Sequence, residues 1–253
     1  MNATKPGNII TVASGKGGVG KTWLAITLAH LIARTGRKVL LFDGDIGLAN
    51  VDVQLGLTPK HDLSEVFYSD AQLKDVVTSY LPDFDIIAGR SGSGNLATLP
   101  AEKLDSLKGQ LVKLAEKYDF VFVDLGAGVE EHVRSLTTVA SRCIVVVTDE
   151  PTSLTDAYAF IKLCVAANSS LPMDIIVNQS ASQKEGEKTY NSLNKACISF
   201  LKISPPCLGV IRKDGKVRDS IRHQQSIVAR APHCTAATDA ATITIKLMKK
   251  ATA

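Results

Sequence analysis

Residues Ser14-Gly15-Lys16-Gly17-Gly18-Val19-Gly20-Lys21-Thr22 carry the spacing G-x-x-x-x-G-K-[ST] through Gly15, Gly20, Lys21 and Thr22. Glycines at such positions let the backbone double back and approach a polyphosphate with no Cβ in the way. Consecutive amide N–H groups then form a concave nest for an anion, reinforced by the positive end of the helix that follows. Lys21 would neutralise charge between β- and γ-phosphates, and the Thr22 hydroxyl would ligate magnesium. The competing reading is a glycine-rich strand-to-helix turn with no ligand. The apolar strand before the loop and the amphipathic helix after it oppose that reading. Gly15, Lys16, Gly17, Gly18, Val19, Gly20, Lys21, Thr22 and Trp23 are therefore expected against a bound nucleoside triphosphate.

Two further apolar runs end in carboxylates. One closes with Phe42-Asp43-Gly44-Asp45 and the other is Phe120-Val121-Phe122-Val123-Asp124, followed by Leu125-Gly126-Ala127-Gly128. Carboxylates at the carboxyl ends of parallel strands project into the crevice where open α/β sheets bind ligands. Asp45 is expected to orient or deprotonate an attacking water. Asp43 would assist through the magnesium shell or hold its own loop, and Asp124 would hold magnesium through water. The bland reading of Asp43 and Asp45 is a pair of solvated turn residues. Gly126 and Gly128 give the third segment a backbone able to move with the γ-phosphate. For a base, Asn178 ends Ile175-Ile176-Val177; its amide could pair with an adenine edge or simply serve a turn. Ile211-Arg212-Lys213-Asp214 could line the same pocket with backbone groups.

These residues need strands to hold them. Val- and Ile-rich runs at 9–14, 38–42, 84–88, 120–124, 143–148, 174–178 and 207–211 read as nearly continuous apolar segments, the pattern of strands buried on both faces of a parallel sheet. Helix candidates lie between them, at 22–35, 100–117, 130–140, 153–168, 185–201 and 235–250. Ser153 followed by Asp156 suggests a capping box that starts a helix just after Pro151. The alternation predicts a doubly wound, mainly parallel α/β sheet with helices on both faces, in one domain spanning residues 1–253. Gly89–Asn95 reads as a flexible loop.

Composition narrows the alternatives. Hydrophobic residues make up 45% and charged residues 21%, so a full core can be buried. Aromatic residues at 5% argue against stacking platforms for single-stranded nucleic acid, and a net charge of +4 is diagnostic of no partner. No two of Cys143, Cys164, Cys197, Cys207 and Cys234 stand at C-x-x-C spacing, so free buried thiols are expected rather than a zinc or iron–sulfur site. Met1–Gly7 lacks the apolar centre of a signal peptide, and a cytosolic location is expected. Ile243, Ile245, Leu247 and Met248 fit the inner face of a last core helix better than a lipid anchor.

Lys16 stands where an ordinary phosphate loop has a variable residue, and could be a solvated cation. The form K-G-G-x-G-K-T over residues 16–22, however, resembles the deviant Walker A signature of the MinD/ParA family of ATPases. The resemblance implies ATP/ADP and Mg²⁺ as cofactors and an ATP-dependent homodimer in which Lys16 reaches the partner's nucleotide. There it would act as an arginine finger does, coupling a slow hydrolysis to dimerisation. The segments 43–57 and 150–159 are most similar to the MinD-like regulators of flagellar number and placement, the FlhG or FleN group. That similarity implies a flagellar GTPase or a transcriptional activator as partner, with a peripheral contact to the inner face of the cell membrane left open. Members often have Pro where Arg212 stands.

Two other classes compete. A ParA-type DNA-partitioning ATPase would need a basic stripe, which Lys202, Arg212, Lys213, Lys216, Arg218 and Arg222 could supply. A metabolic enzyme or iron–sulfur carrier of the same fold is opposed by the absent cysteine pair and by the lack of chain for a second domain.

Overall fold

Runs apolar on both faces are stable only between two helical layers, and the computed structural model places them there. It describes residues 7–45, 48–69, 71–89 and 100–251; Met1–Pro6 and the loop expected beyond Gly89 fall outside these. The strands are β1 (Ile9–Ser14), β2 (Val39–Gly44), β3 (Thr78–Leu81), β4 (Phe84–Ile87), β5 (Phe120–Ala127), β6 (Arg142–Val147), β7 (Met173–Ser180) and β8 (Cys207–Arg212). They form one sheet in the order β3-β4-β2-β5-β1-β6-β7-β8. Every pairing is parallel except that of β3 with β4 at the edge.

The helices are α1 (Lys21–Ala33), α2 (Val51–Leu55), α3 (Leu63–Tyr68), α4 (Ala101–Ala115), α5 (Glu131–Thr137), α6 (Pro151–Ala167), α7 (Gln183–Ala196), α8 (Gly215–Arg222), α9 (Ile227–Arg230) and α10 (Thr235–Ala251). Alternate strand residues feed two cores. Ile9, Leu40, Phe42, Val121 and Val145 pack with α3 to α7, whereas Ile10, Val12, Leu41, Phe122 and Ile144 pack with α1, α2, α9 and α10. Phe42, Phe84, Phe122 and Phe160 are fully buried, and truncating any of them to Ala would cost about 3–5 kcal/mol.

Several sequence expectations shift. β2 and β5 run beyond the expected bounds, so Asp43 and Gly126 lie within strands rather than after them, and Asp124 lies inside β5 rather than at its last residue. Ser153 does not cap α6. Pro151 occupies its first turn, and the Ser153 hydroxyl accepts the Thr148 N–H at 3.0 Å, tying the helix to the end of β6. The helix expected over 185–201 stops at Ala196 and continues as a wider π-type turn over Cys197–Leu201. In α10, Ile243 and Leu247 are buried but Ile245 is exposed, one residue off the inward stripe. The far end of α10 is anchored by Lys250 on the wholly buried Asp174, which also takes Arg142 at 2.6 Å. All five cysteines are free thiols. Among the described residues no helix is long and apolar enough to cross a membrane.

Candidate functional site

The order around β1 sets the site. β1 lies between β5 and β6, and β2 lies just beyond β5, so the loop after β1 has carboxylate-bearing strand ends on one side and the end of β7 on the other. At the root of the loop the Ser14 hydroxyl donates to the Lys16 carbonyl at 2.6 Å, and the Gly128 N–H donates to the Ser14 carbonyl at 3.0 Å. A Cβ on Gly15 would lie 2.1 Å from the backbone carbon of Asp156 in α6, so only glycine permits this approach. Gly20 caps α1 with φ at +90°, and a Cβ there would meet the Asn178 amide nitrogen at 2.4 Å. That nitrogen donates to the Val19 carbonyl at 2.8 Å, and Gln179 donates to the Gly18 carbonyl at 3.1 Å. The end of β7 thus fixes the loop's carbonyls and leaves its N–H groups for an anion.

The charged groups converge in front of the loop. Asp43 and Asp124 face each other in the β2–β5 register, and each is 1% exposed. Burial raises the pKa of both carboxyls well above the usual range, and Asp124 adds to the effect on Asp43. Asp43 accepts the N–H groups of Asn50 at 2.9 Å and Val51 at 3.0 Å, and that of Asp45 at 3.2 Å, so it holds the loop that carries Asp45. The Thr22 hydroxyl is hydrogen-bonded to Asp124 and opposes that rise. Lys21 is 8% exposed; burial lowers its pKa, while Asp124 and Asp45 oppose the shift. Of these groups Lys21, Thr22 and Asp45 line a cleft of about 590 Å³, together with Gly18 and Gly126, and with Trp23, Gln54 and Ile221 on its helical wall.

The donor set fits magnesium. Thr22 and Asp124 offer hard oxygens, and Asp124 Oδ1 is buried with no partner among the described residues. No three His, Cys, Asp or Glu side chains among the described residues form a cage by themselves. Nucleotide-bound magnesium does not need one, because phosphates and water complete its shell.

Lys16 is not among the residues lining the cleft. Its ammonium forms a close ion pair with Glu150 and donates to the Thr152 hydroxyl at 2.8 Å, both at the start of α6. Sequence reasoning missed these partners, which lie 134 and 136 positions away with no local signal. The residues expected around a base are differently occupied. Asn178 spends its N–H on Val19, Ile211 is buried in the core, and Arg212 forks onto Asp239 of α10 at 2.9 and 2.8 Å. Asp239 also takes the Arg212 backbone N–H at 3.0 Å.

A glycine loop between β1 and α1, with strand-end carboxylates facing its lysine, defines a P-loop nucleotide-binding protein. Residues 10–227 match the CobQ/CobB/MinD/ParA nucleotide binding domain, and the chain belongs to that family. It is 36% identical to the antiactivator FleN of Pseudomonas aeruginosa over 232 residues, covering 92% of this chain and 83% of the relative. It is 31% identical to the flagellum site-determining protein YlxH of Helicobacter pylori, with 88% and 76% covered. The septum site-determining protein MinD of Pyrococcus horikoshii, solved with Mg-ADP, superposes with a TM-score of 0.81 at 26% identity, covering 96% of this chain and 97% of that one.

Proposed function

We propose that the chain is an ATP-dependent dimerisation switch of MinD type that hydrolyses ATP slowly and regulates flagellar number or placement. The observation that carries this reading is the pairing of a carbonyl-tethered glycine nest with Lys21 and the buried Asp43–Asp124 pair. The names of two relatives, an antiactivator and a flagellum site-determining protein, support the flagellar branch; the partner in this reading is a transcriptional activator or a flagellar GTPase.

In the proposed reaction a water oxygen attacks the γ-phosphorus while the bond to the β–γ bridging oxygen breaks, giving ADP and phosphate. Asp45 takes the water's proton or fixes its lone pair in line. The loop amides and Lys21 stabilise charge on the β- and γ-oxygens. Magnesium, held through Thr22 and through water by Asp124, with Asp43 shaping that side, would neutralise the same oxygens. Asn178 would offer its carbonyl oxygen, and Ile211 and Arg212 their backbone carbonyls, to the adenine edge, since the Arg212 N–H is taken by Asp239.

Lys16 of a second copy would complete the site, and the rest of the dimer surface would be the signal. To do so Lys16 must leave its own Glu150 and Thr152, which accounts for a low basal rate. Without a cationic finger, phosphoryl transfer loses roughly 10³–10⁵ in rate. Light scattering with ATP and magnesium tests the scheme: the wild type should dimerise and the Lys16→Ala protein stay monomeric. ATP-dependent dimers of the Lys16→Ala protein would sink the switch.

A DNA-partitioning role has weaker support. Arg212 is committed to Asp239, and Lys202 donates to the Ser199 carbonyl at 2.9 Å, so two members of the basic stripe are engaged within the fold. A DNA binder would lose affinity steeply as salt rises.

A further inference from the structure

The helical wall of the cleft holds two buried polar groups that nothing among the described residues satisfies. Trp23 is 4% exposed, and its indole N–H has no partner among the described residues. Gln54 lines the same cleft, and its side-chain carbonyl oxygen is likewise buried and unpaired. The orientation of that amide is set by a relay. Asn50 donates its side-chain N–H to the Leu48 carbonyl at 3.2 Å, which leaves Asn50 Oδ1 to accept from Gln54 Nε2 at 3.2 Å. Turning the Gln54 amide over would set two carbonyl oxygens against each other, so its oxygen, not its nitrogen, stays unspent.

An indole can only donate and this amide oxygen can only accept. A phosphate oxygen would satisfy the first and repel the second. A hydroxyl can serve either group, accepting from an indole N–H and donating to an amide oxygen. Ile221 of α8 adds an apolar surface to this wall. α8 is held beside α2 by Gln224, which donates to the Val53 carbonyl at 3.2 Å. Trp23 directly follows Thr22, so the wall begins where the phosphate cradle ends.

We infer that Trp23, Gln54 and Ile221 form a sugar subsite, in which the indole N–H and the Gln54 carbonyl bind a ribose hydroxyl and discriminate ribonucleotides from deoxyribonucleotides and from bare triphosphate. The inference rests on the nucleotide reading above and adds to it a residue that selects the sugar. Leaving two buried polar groups unpaired penalises a ligand that lacks the hydroxyl.

The test uses the full chain with magnesium and calorimetric titrations of ATP, 2′-deoxy-ATP, 3′-deoxy-ATP and inorganic triphosphate. The wild type should bind ATP about tenfold more tightly than at least one deoxy analogue. Trp23→Phe keeps a ring but removes the donor, and Gln54→Leu removes the acceptor; each should bring the ATP-to-deoxy affinity ratio close to one. Trp23 is the sole tryptophan, so its emission should change with ATP and not with triphosphate. Equal affinity of the wild type for ATP and both deoxy analogues would overturn the subsite, as would occur if an ordered water served both groups. Loss of ATP and triphosphate affinity in the same proportion in Trp23→Phe would also overturn it, marking the ring as packing. In those outcomes ATP still binds and the nucleotide reading stands. If neither ATP nor triphosphate binds the wild type, the nucleotide reading itself has failed, and the subsite with it.

Discussion

The proposed phosphate end of the site and the proposed base end are built from different materials. At the phosphate end the groups proposed to face a ligand are backbone amides, a lysine and carboxylates whose geometry follows from one short loop and two strand ends. At the base end the side chains named by the sequence are already engaged: Asn178 braces the loop and Arg212 joins β8 to α10. On the proposed reading, recognition of phosphate would be a property of local chain geometry, whereas recognition of a base would share residues with the fold. Variants at the first end should change ligand binding with little loss of stability, and variants at the second should change both.

The largest effect is expected from Lys21→Ala. Removing a buried charge that meets the phosphates should weaken ATP binding by at least about 10²-fold in calorimetry; unchanged affinity would dissolve the phosphate end. Asp45→Ala should keep ATP binding while turnover falls by about 10²–10⁴, the range for a positioned base, and ATP-bound dimers should accumulate. Unaltered turnover would remove Asp45 from the chemistry. Glu150→Gln weakens the tie on Lys16 and should shift ATP-dependent dimerisation to lower protein concentration by a few-fold, read by sedimentation. A shift the other way would mean that Glu150 helps the dimer.

Asn178→Ala sharpens the contrast directly. The Val19 carbonyl loses its donor, so the nucleotide-free protein should unfold about 1–3 kcal/mol more easily in urea. Weakened ATP binding with no loss of stability would show the base end to be as specialised as the phosphate end. The smallest effect is expected within α1, at His30. Burial, helped by Arg34, lowers its pKa to about 4 from 6.5, and Nδ1 lies 2.9 Å from the Ser226 hydroxyl. The folded chain therefore binds this proton less readily than the unfolded chain. Stability should be complete above pH 6.5 and decline as pH falls toward 4, more steeply in the wild type than in His30→Gln. Parallel urea-midpoint profiles would exclude His30 as the cause.

Legibility in the sequence followed the same division. The phosphate loop, the seven buried strands and the positions of Asp43 and Asp124 at the carboxyl ends of two of them were readable because each is written in contiguous residues. β3, α2, α8 and α9 were not, since four to eight half-buried residues give no periodicity that separates them from loop. The Lys16–Glu150 pair and the Trp23–Gln54 wall were invisible because they join segments brought together only by the finished sheet. Ser153 misled because its spacing to Asp156 imitates a cap, while its hydroxyl serves the end of β6.

The first turns of α6 touch the loop twice over. Asp156 lies against Gly15 so closely that no side chain fits between them, and at the very start of the same helix Glu150 and Thr152 grip Lys16. The loop's floor and Lys16 therefore lean on one helix. A partner that pressed on or tilted that helix would loosen the lysine and reshape the cradle in one stroke, without ever approaching the nucleotide.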